Sequence, residues 1–392
     1  MNEAMRAYLD APIDRRGTHC EKWDYLGRYF GRDDLIAMWV ADMDFPTVPE
    51  VTQALMERVK HPVYGYTDNG EADRAAEADW LLRRHALAVD ADWILYSPGV
   101  VDSIFFCVAA FTEPGDAILV QPPVYGPFYQ AVKLHGRKLV KNPLVNGPDG
   151  WQMDFEGLEA CFKTGVKMML LCSPHNPVGR VWTEAELKRL VDLANAYSVL
   201  IISDEIHADF ALDGRRQTRL IGLEGAEKHV LLTSATKSFN LAGLRQSSVI
   251  APDAKVREAI KRQIELAHAG TPNIFGAVAQ TAAYTFGDEW MDAVREYVQE
   301  NRDYAAGYLR EHIPQIACRP QEGTYLMWLD FRNLGLSHDE ARRMLVDGAR
   351  VALNDGTFFG PEGAGFFRMN LATQRWNVVK TLQNIENAIR RL

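Results

Sequence analysis

A chain of 392 residues with 47% hydrophobic content can bury a core large enough for two packed units, and its formal charge of −9 comes from scattered Asp and Glu rather than an acidic tail. That charge, with Arg pairs such as Arg83-Arg84 and Arg342-Arg343 set in amphipathic patterns, excludes the basic footprint of a nucleic-acid partner. Five widely spaced cysteines with no C-x-x-C, no apolar signal-peptide core near the N-terminus and no window long enough to cross a bilayer predict reduced thiols in a soluble, cytoplasmic protein.

Residues 1–45 have mixed character and are expected to form an arm on the C-terminal part of the chain. From about residue 93 to 251, short apolar runs alternate with helical patterns: "WILYS", "AILVQ", "VKMMLLCS", "VLIISDE", "HVLLTS" and "SSVIA". Runs apolar on both faces suit a mostly parallel sheet covered by helices, an α/β architecture. One covering helix, "TEAELKRLVDLANAY", opens on Thr183 with Glu186 three residues on, a capping box. Past about residue 288 the pattern changes to a long helical stretch, the apolar runs "TYLMWLDF" and "GFFRMNLA", and a final amphipathic helix. This predicts a smaller α+β unit over 288–392, with the larger unit over 46–287.

Several stretches could carry chemistry. "YSPGVVDSIFF" has a Pro-Gly turn before a helix starting near Val100, whose free amides and dipole can hold an anion such as a phosphate. "LLCSPHNPVGRVW" ends a strand in an Asn-Pro turn, which places the Asn176 amide at the same sheet edge or forms an ordinary strand exit. In "VLIISDEIHADF", continued strand alternation would gather Glu205, His207 and Asp209 as a metal site. If the strand instead ends at Asp204, that carboxylate points into a cleft and needs a cationic or N–H partner. Lys237, in "LLTSATKSFNLAGLRQSS", follows a buried strand. A lysine there becomes a nucleophile or base when desolvated or set beside a cation, which Arg245 could supply. "GFFRMNLA" puts Arg368 in an apolar strand, where the guanidinium requires a carboxylate from a structural salt bridge or from a ligand.

Walker, G-x-G-x-x-G, H-E-x-x-H and G-x-S-x-G signatures are absent, which argues against P-loop, Rossmann, zinc-protease and serine-hydrolase chemistry. Taken in order, "PVYGPF", "SPHNPVG", "DEIH", "SATKSFN" and "FFRMN" resemble the fold-type I pyridoxal-phosphate enzymes of the aspartate aminotransferase superfamily, over nearly the whole chain. Within it, "MWVADMDFPTVPEV", "HPVYGYTD", "DEIHADF" and "TKSFNLAGL" look most like the MalY/PatB group of cystathionine β-lyase-like carbon–sulfur lyases.

The resemblance implies a seven-stranded, mostly parallel sheet and a homodimer that shares its active sites. It implies that Lys237 forms the Schiff base with pyridoxal phosphate and shuttles the Cα proton, with Asp204 on the pyridinium nitrogen, Tyr125 stacked on the ring and Asn176 on its 3-oxygen. The phosphate would rest on amides near Val100 and Val101, on Ser234 and Arg245, and on Tyr66 reaching across from the second subunit. Arg368 would clamp the substrate α-carboxylate, with Asn176 and Tyr66 beside it. His207 stands where most aminotransferases have Tyr, and Arg245 stands where some lyases of this group are neutral. The implied activity is α,β-elimination on L-cystathionine or a related cysteine S-conjugate. Transamination on nearly the same residues, and a regulatory binding role on the same scaffold, are the competing readings.

Overall fold

The computed structural model describes residues 1–147 and 150–392. Strands β1 (Ile94–Ser97), β2 (Ala117–Val120), β3 (Lys138–Lys141), β4 (Met168–Cys172), β5 (Leu200–Asp204), β6 (Val230–Thr233) and β7 (Ser247–Ile250) form one sheet in the order β1-β7-β6-β5-β4-β2-β3. β7 runs antiparallel to both of its neighbours, and every other pair is parallel. The sheet thus has the seven, mostly parallel strands implied by the family resemblance. Six are the apolar runs read from sequence. The seventh, β3, reads KLVK at the sheet edge, where its two lysines break the apolar signal.

The inner strands are apolar throughout because both faces are covered. Ile118, Val120, Met168, Leu170 and Ile202 join one core cluster, while Leu119, Met169, Leu171 and Ile201 join another on the opposite face. Helices α1 (Val100–Phe111) and α2 (Gly126–Leu134) supply the first layer, with Ile104, Val108, Phe128 and Val132 buried against it. Helix α3 (Glu184–Ala196) supplies Leu187, Leu190 and Val191 to the second. Its predicted capping box is present: the Glu186 amide donates to Thr183 Oγ1 at 3.2 Å, and the Thr183 amide donates to Glu186 Oε2 at 2.8 Å.

After β6 the chain turns through the four-residue helix α4 (Ala235–Ser238), and later runs into the long helix α5 (Asp288–His312). β8 (Ala317–Cys318), β9 (Leu326–Asp330), β10 (Asn354–Asp355) and β11 (Phe366–Asn370) form an antiparallel sheet ordered β8-β9-β11-β10. Ala305 and Leu309 of α5, together with Val378, Leu382 and Ile385 of helix α6 (Arg375–Ile389), pack on Met327, Leu329, Phe367 and Met369 of this sheet.

The N-terminal residues pack on elements of the C-terminal part of the chain. Ile36 and Ala37 pair in parallel with Val351 and Ala352, and Leu9, Met43 and Phe45 cluster with Trp290, Val294 and Tyr297 of α5. The same segment also touches the turn after α4, since the Asn240 side chain donates to the carbonyls of Met43 and Phe45, both at 3.0 Å. Residues 39–45 therefore lie between the two sheets, beside Lys237. Among the described residues no helix is long and apolar enough to cross a membrane.

Candidate active site

The carboxyl ends of parallel strands collect the turns between strand and helix at one edge of the sheet, where open α/β sheets bind ligands. A cavity of about 210 Å³ opens at that edge. The turn after β1 contributes Gly99, Val100, Val101 and Asp102; the turn after β2, Tyr125; that after β4, Asn176. Asp204, Ile206 and His207 enter from β5, and Thr236 and Lys237 from β6. Because β7 is antiparallel, its leading residues start at this same edge, which brings Arg245 to the cavity.

β5 stops at Asp204, and the three acidic and imidazole side chains beyond it separate instead of gathering around a metal. Glu205 binds Ser203, the Leu220 amide and Arg219. Asp209 accepts from His85 Nε2 at 2.8 Å and from Ser238 Oγ. His207 stays beside the cavity, its ring 5.5 Å from that of Tyr325.

Asp204 is buried and accepts one hydrogen bond, 3.2 Å from the Ile206 amide. Burial pushes its carboxyl up to about 7, because one amide and the nearby Lys237 charge do not offset the loss of water. Lys237 faces the cavity and donates to the Ala41 carbonyl at 2.6 Å. Its pKa is lowered, first by desolvation; Arg368 lowers it further, while Asp42 and Asp204 oppose the shift. Arg368 therefore supplies the depressing cation expected of Arg245. Sequence proximity favoured Arg245, but its side chain is exposed at the cavity mouth and paired with Asp102 at 3.0 Å.

Arg368 is 2% exposed. One terminal nitrogen donates to Asn176 Oδ1 and the other to the Trp39 carbonyl, each at 3.0 Å, and the guanidinium lies 4.9 Å over the Phe359 ring. Among the described residues no carboxylate lies within 4 Å of it, and its Nε has no partner. Desolvation lowers its pKa to about 10. A structural salt bridge is thus not what holds this guanidinium, and its unpartnered Nε–H donor suits an incoming carboxylate.

The remaining expected residues fall in three places. Val100 and Val101 line the cavity at the start of α1, whose N-cap Gly99 carries no side-chain cap. Ser234 lies one step back and is not among the lining residues: its hydroxyl donates to the Gln246 carbonyl at 2.6 Å, and Thr236 takes the lining position. Tyr66 lies outside the cavity, fully exposed on the 61–68 loop.

Two backbone acceptors of the site had no signal in the sequence: the Ala41 carbonyl, which also accepts from Tyr325 Oη at 3.0 Å, and the Trp39 carbonyl. Backbone acceptors leave no residue-type signal beyond the "MWVADMDF" stretch that carries them.

These residues fit pyridoxal phosphate. The uncapped amides of α1 and Arg245 offer donors to a phosphate, the underpartnered Asp204 needs an N–H cation, and the Lys237 amine lies within electrostatic reach of both Asp204 and Arg368.

Comparison with known proteins agrees. The family model "Aminotransferase class I and II" matches residues 33–392. Cystathionine β-lyase PatB of Bacillus subtilis is 37% identical, over 97% of this chain and 99% of its own. The pyridoxal-phosphate-containing crystal structure of cystalysin from Treponema denticola superposes with a TM-score of 0.94 at 30% identity, covering 98% of each chain. The pyridoxal-phosphate-bound C–S lyase of Staphylococcus hominis gives 0.90 at 31%, covering 97% of each. The chain is a member of the class I and II aminotransferase family of pyridoxal-phosphate enzymes, in the group that contains the PatB-type cystathionine β-lyases.

Proposed function

We propose that this protein is a pyridoxal-phosphate-dependent carbon–sulfur β-lyase, acting on L-cystathionine or related L-cysteine S-conjugates to release a thiol, pyruvate and ammonia. The observation that carries an amino-acid substrate is Arg368, a buried guanidinium with no carboxylate within 4 Å among the described residues and an unpartnered Nε. Elimination in particular is supported by the near full-length likeness to PatB.

Pyridoxal phosphate, when bound, supplies an electron sink for a carbanion at the substrate Cα. The chain's own residues bind, orient and move the proton. Arg368, held by Asn176 and the Trp39 carbonyl, fixes the α-carboxylate in a bidentate orientation. Lys237 carries the base: desolvation and Arg368 favour its neutral amine, which can take a proton at Cα, and the Ala41 carbonyl holds the nitrogen in place. The Asp204 carboxylate would hold the ring nitrogen protonated, and the amides of Val100 and Val101 with Arg245 would hold the phosphate. Tyr125 and Asn176 line the cavity, where Tyr125 would stack on the ring and Asn176 would bind its oxygen.

A homodimer belongs to the same proposal. Met56, Val59, Val63, Tyr64 and Tyr66 are exposed apolar side chains within eleven residues of sequence, as a partner-covered surface requires. Tyr66 would then serve the partner's cavity. The division into an arm (1–45), a cofactor-binding unit (46–287) and a C-terminal unit (288–392) is part of this reading. So is a cytoplasmic location, which the five free cysteines suit.

Incubating the holoenzyme with L-cystathionine, and separately with ordinary amino acids, in the absence of a keto acid tests the reaction. Repeated release of pyruvate and thiol is the expected result. Stoichiometric pyridoxamine phosphate with no thiol would assign the protein to transamination instead, and a protein that binds no pyridoxal phosphate would leave only a binding role. Light scattering measures the assembly.

A further inference from the structure

The phosphate end of the cavity carries two opposite charges. Arg245 lines it, and so does Asp102, in the first turn of α1, with Arg245 Nη2 and Asp102 Oδ2 3.0 Å apart. The Asp102 carboxylate curls back over the start of the helix. A Cβ built at position 99 would come within 2.6 Å of Asp102 Oδ2, so a side chain there would displace it. Both groups are partly exposed, so the pair can open without unfolding anything around it.

An aspartate at a helix N-terminus is stabilised by the same dipole and amides that attract a phosphate. Asp102 is thus an internal anion at the place where an external one must bind, already engaged with the side-chain cation that lines this end. Resting on the reading of Val100, Val101 and Arg245 as the phosphate cup, we propose that Asp102 attenuates cofactor affinity. It repels the phosphate and holds Arg245, and Arg245 changes partner from Asp102 to the phosphate as the cofactor enters. Cofactor occupancy then follows the free cofactor concentration more closely than a cup without Asp102 would allow.

The test is titration of apoprotein with pyridoxal phosphate, followed by the absorbance of the bound cofactor, for wild type, Asp102→Asn, Arg245→Gln and the double variant. Asp102→Asn should tighten the dissociation constant by about three- to tenfold at low ionic strength, the range for one partly solvated charge at contact distance. The gain should shrink in high salt. Arg245→Gln should weaken binding, and by a larger factor in the Asp102→Asn background, where the arginine is no longer shared. An Asp102→Asn protein with unchanged or weaker affinity would overturn the attenuator role, as would an Arg245→Gln factor equal in both backgrounds. A wild-type protein that takes up no pyridoxal phosphate would overturn the reading of the cavity itself.

Discussion

Two buried aspartates show the difference between a region built to hold and a region built to bind. Asp44, 5% exposed in the N-terminal arm, accepts from Lys22 Nζ at 2.7 Å, from Arg15 at 2.8 Å and from Trp23 Nε1 at 3.0 Å. Asp204, 6% exposed at the cavity, accepts from one amide. Burial pushes both carboxyls up. At Asp44 the Lys22, Trp23 and Arg15 donors overcome it, and the pKa ends below the usual value; at Asp204 nothing does, and it ends near 7. Residue type and burial match, so the neighbouring donors and charges set the outcome. The satisfied cluster clamps residues 42–44 and with them the Ala41 carbonyl that holds Lys237. The unsatisfied one leaves a charge for a ligand to complete.

The largest expected effect comes from breaking the holding region. Lys22 is fully buried, and Lys22→Met would leave Asp44 and Asp42 with Arg15 as the one cation of the cluster and Trp23 Nε1 as a neutral donor. Removing one partner of a buried ion pair costs about 3–5 kcal/mol. Urea unfolding of the apoprotein should show that loss; an unchanged midpoint would mean that the cluster holds nothing.

Asp204→Asn sharpens the comparison from the other side. A carboxyl whose folded pKa is raised, from about 3.9 unfolded to about 7, contributes stability that is complete below the unfolded value and is lost as pH rises through the folded one. Above pH 7 the apoprotein therefore carries a buried, underpartnered charge. The amide should stabilise the apoprotein by about 2–4 kcal/mol at pH 8 and by little near pH 4, while cutting turnover by at least about a hundredfold because the ring nitrogen loses its partner. Urea unfolding at the two pH values, paired with pyruvate formation, checks both halves. Equal gains at both pH values would show that ionisation is not the cause.

Much of this was legible along the chain because chemistry and fold share a few local patterns. Doubly covered strands are continuous apolar runs, and the turns at their carboxyl ends carry Asn176, Asp204 and Lys237, so order alone placed three site residues at one edge. The edge strand β3 escaped because solvent on one side permits Lys138 and Lys141. Arg245 was preferred over Arg368 as the cation near Lys237 because it lies eight residues away, whereas Arg368 arrives from another sheet through its contact with Asn176. Thr236 rather than Ser234 lines the cavity because the Gln246 carbonyl draws the serine hydroxyl inward. The pairing of Asp44 with Lys22, twenty-two residues apart, follows from tertiary packing that no local period encodes.

A third aspartate sets the scale of a single donor. Asp209 accepts from His85 Nε2, from Trp80 Nε1 at 3.3 Å and from the hydroxyl of Ser238, the residue that follows Lys237. Its pKa is held below the ordinary carboxylate value: burial raises it, but His85, Arg219 and Ser238 together outweigh that. His85 itself, lowered to about 4 first by desolvation, is the neutral donor. This site resembles Asp44 in being satisfied, yet it supports the four-residue helix that carries Lys237. Ser238→Ala removes one of three donors and leaves the others in place, so the cost should fall to about 1.5–3 kcal/mol, the range for losing one hydrogen bond to a charged group. Because the lost bond anchors the turn of Lys237, turnover should fall with little change in KM, and Ser238→Thr should restore it. If stability falls and turnover does not, Asp209 belongs with Asp44 as framework; if both fall and threonine rescues both, the holding region extends to the residue beside the catalytic lysine.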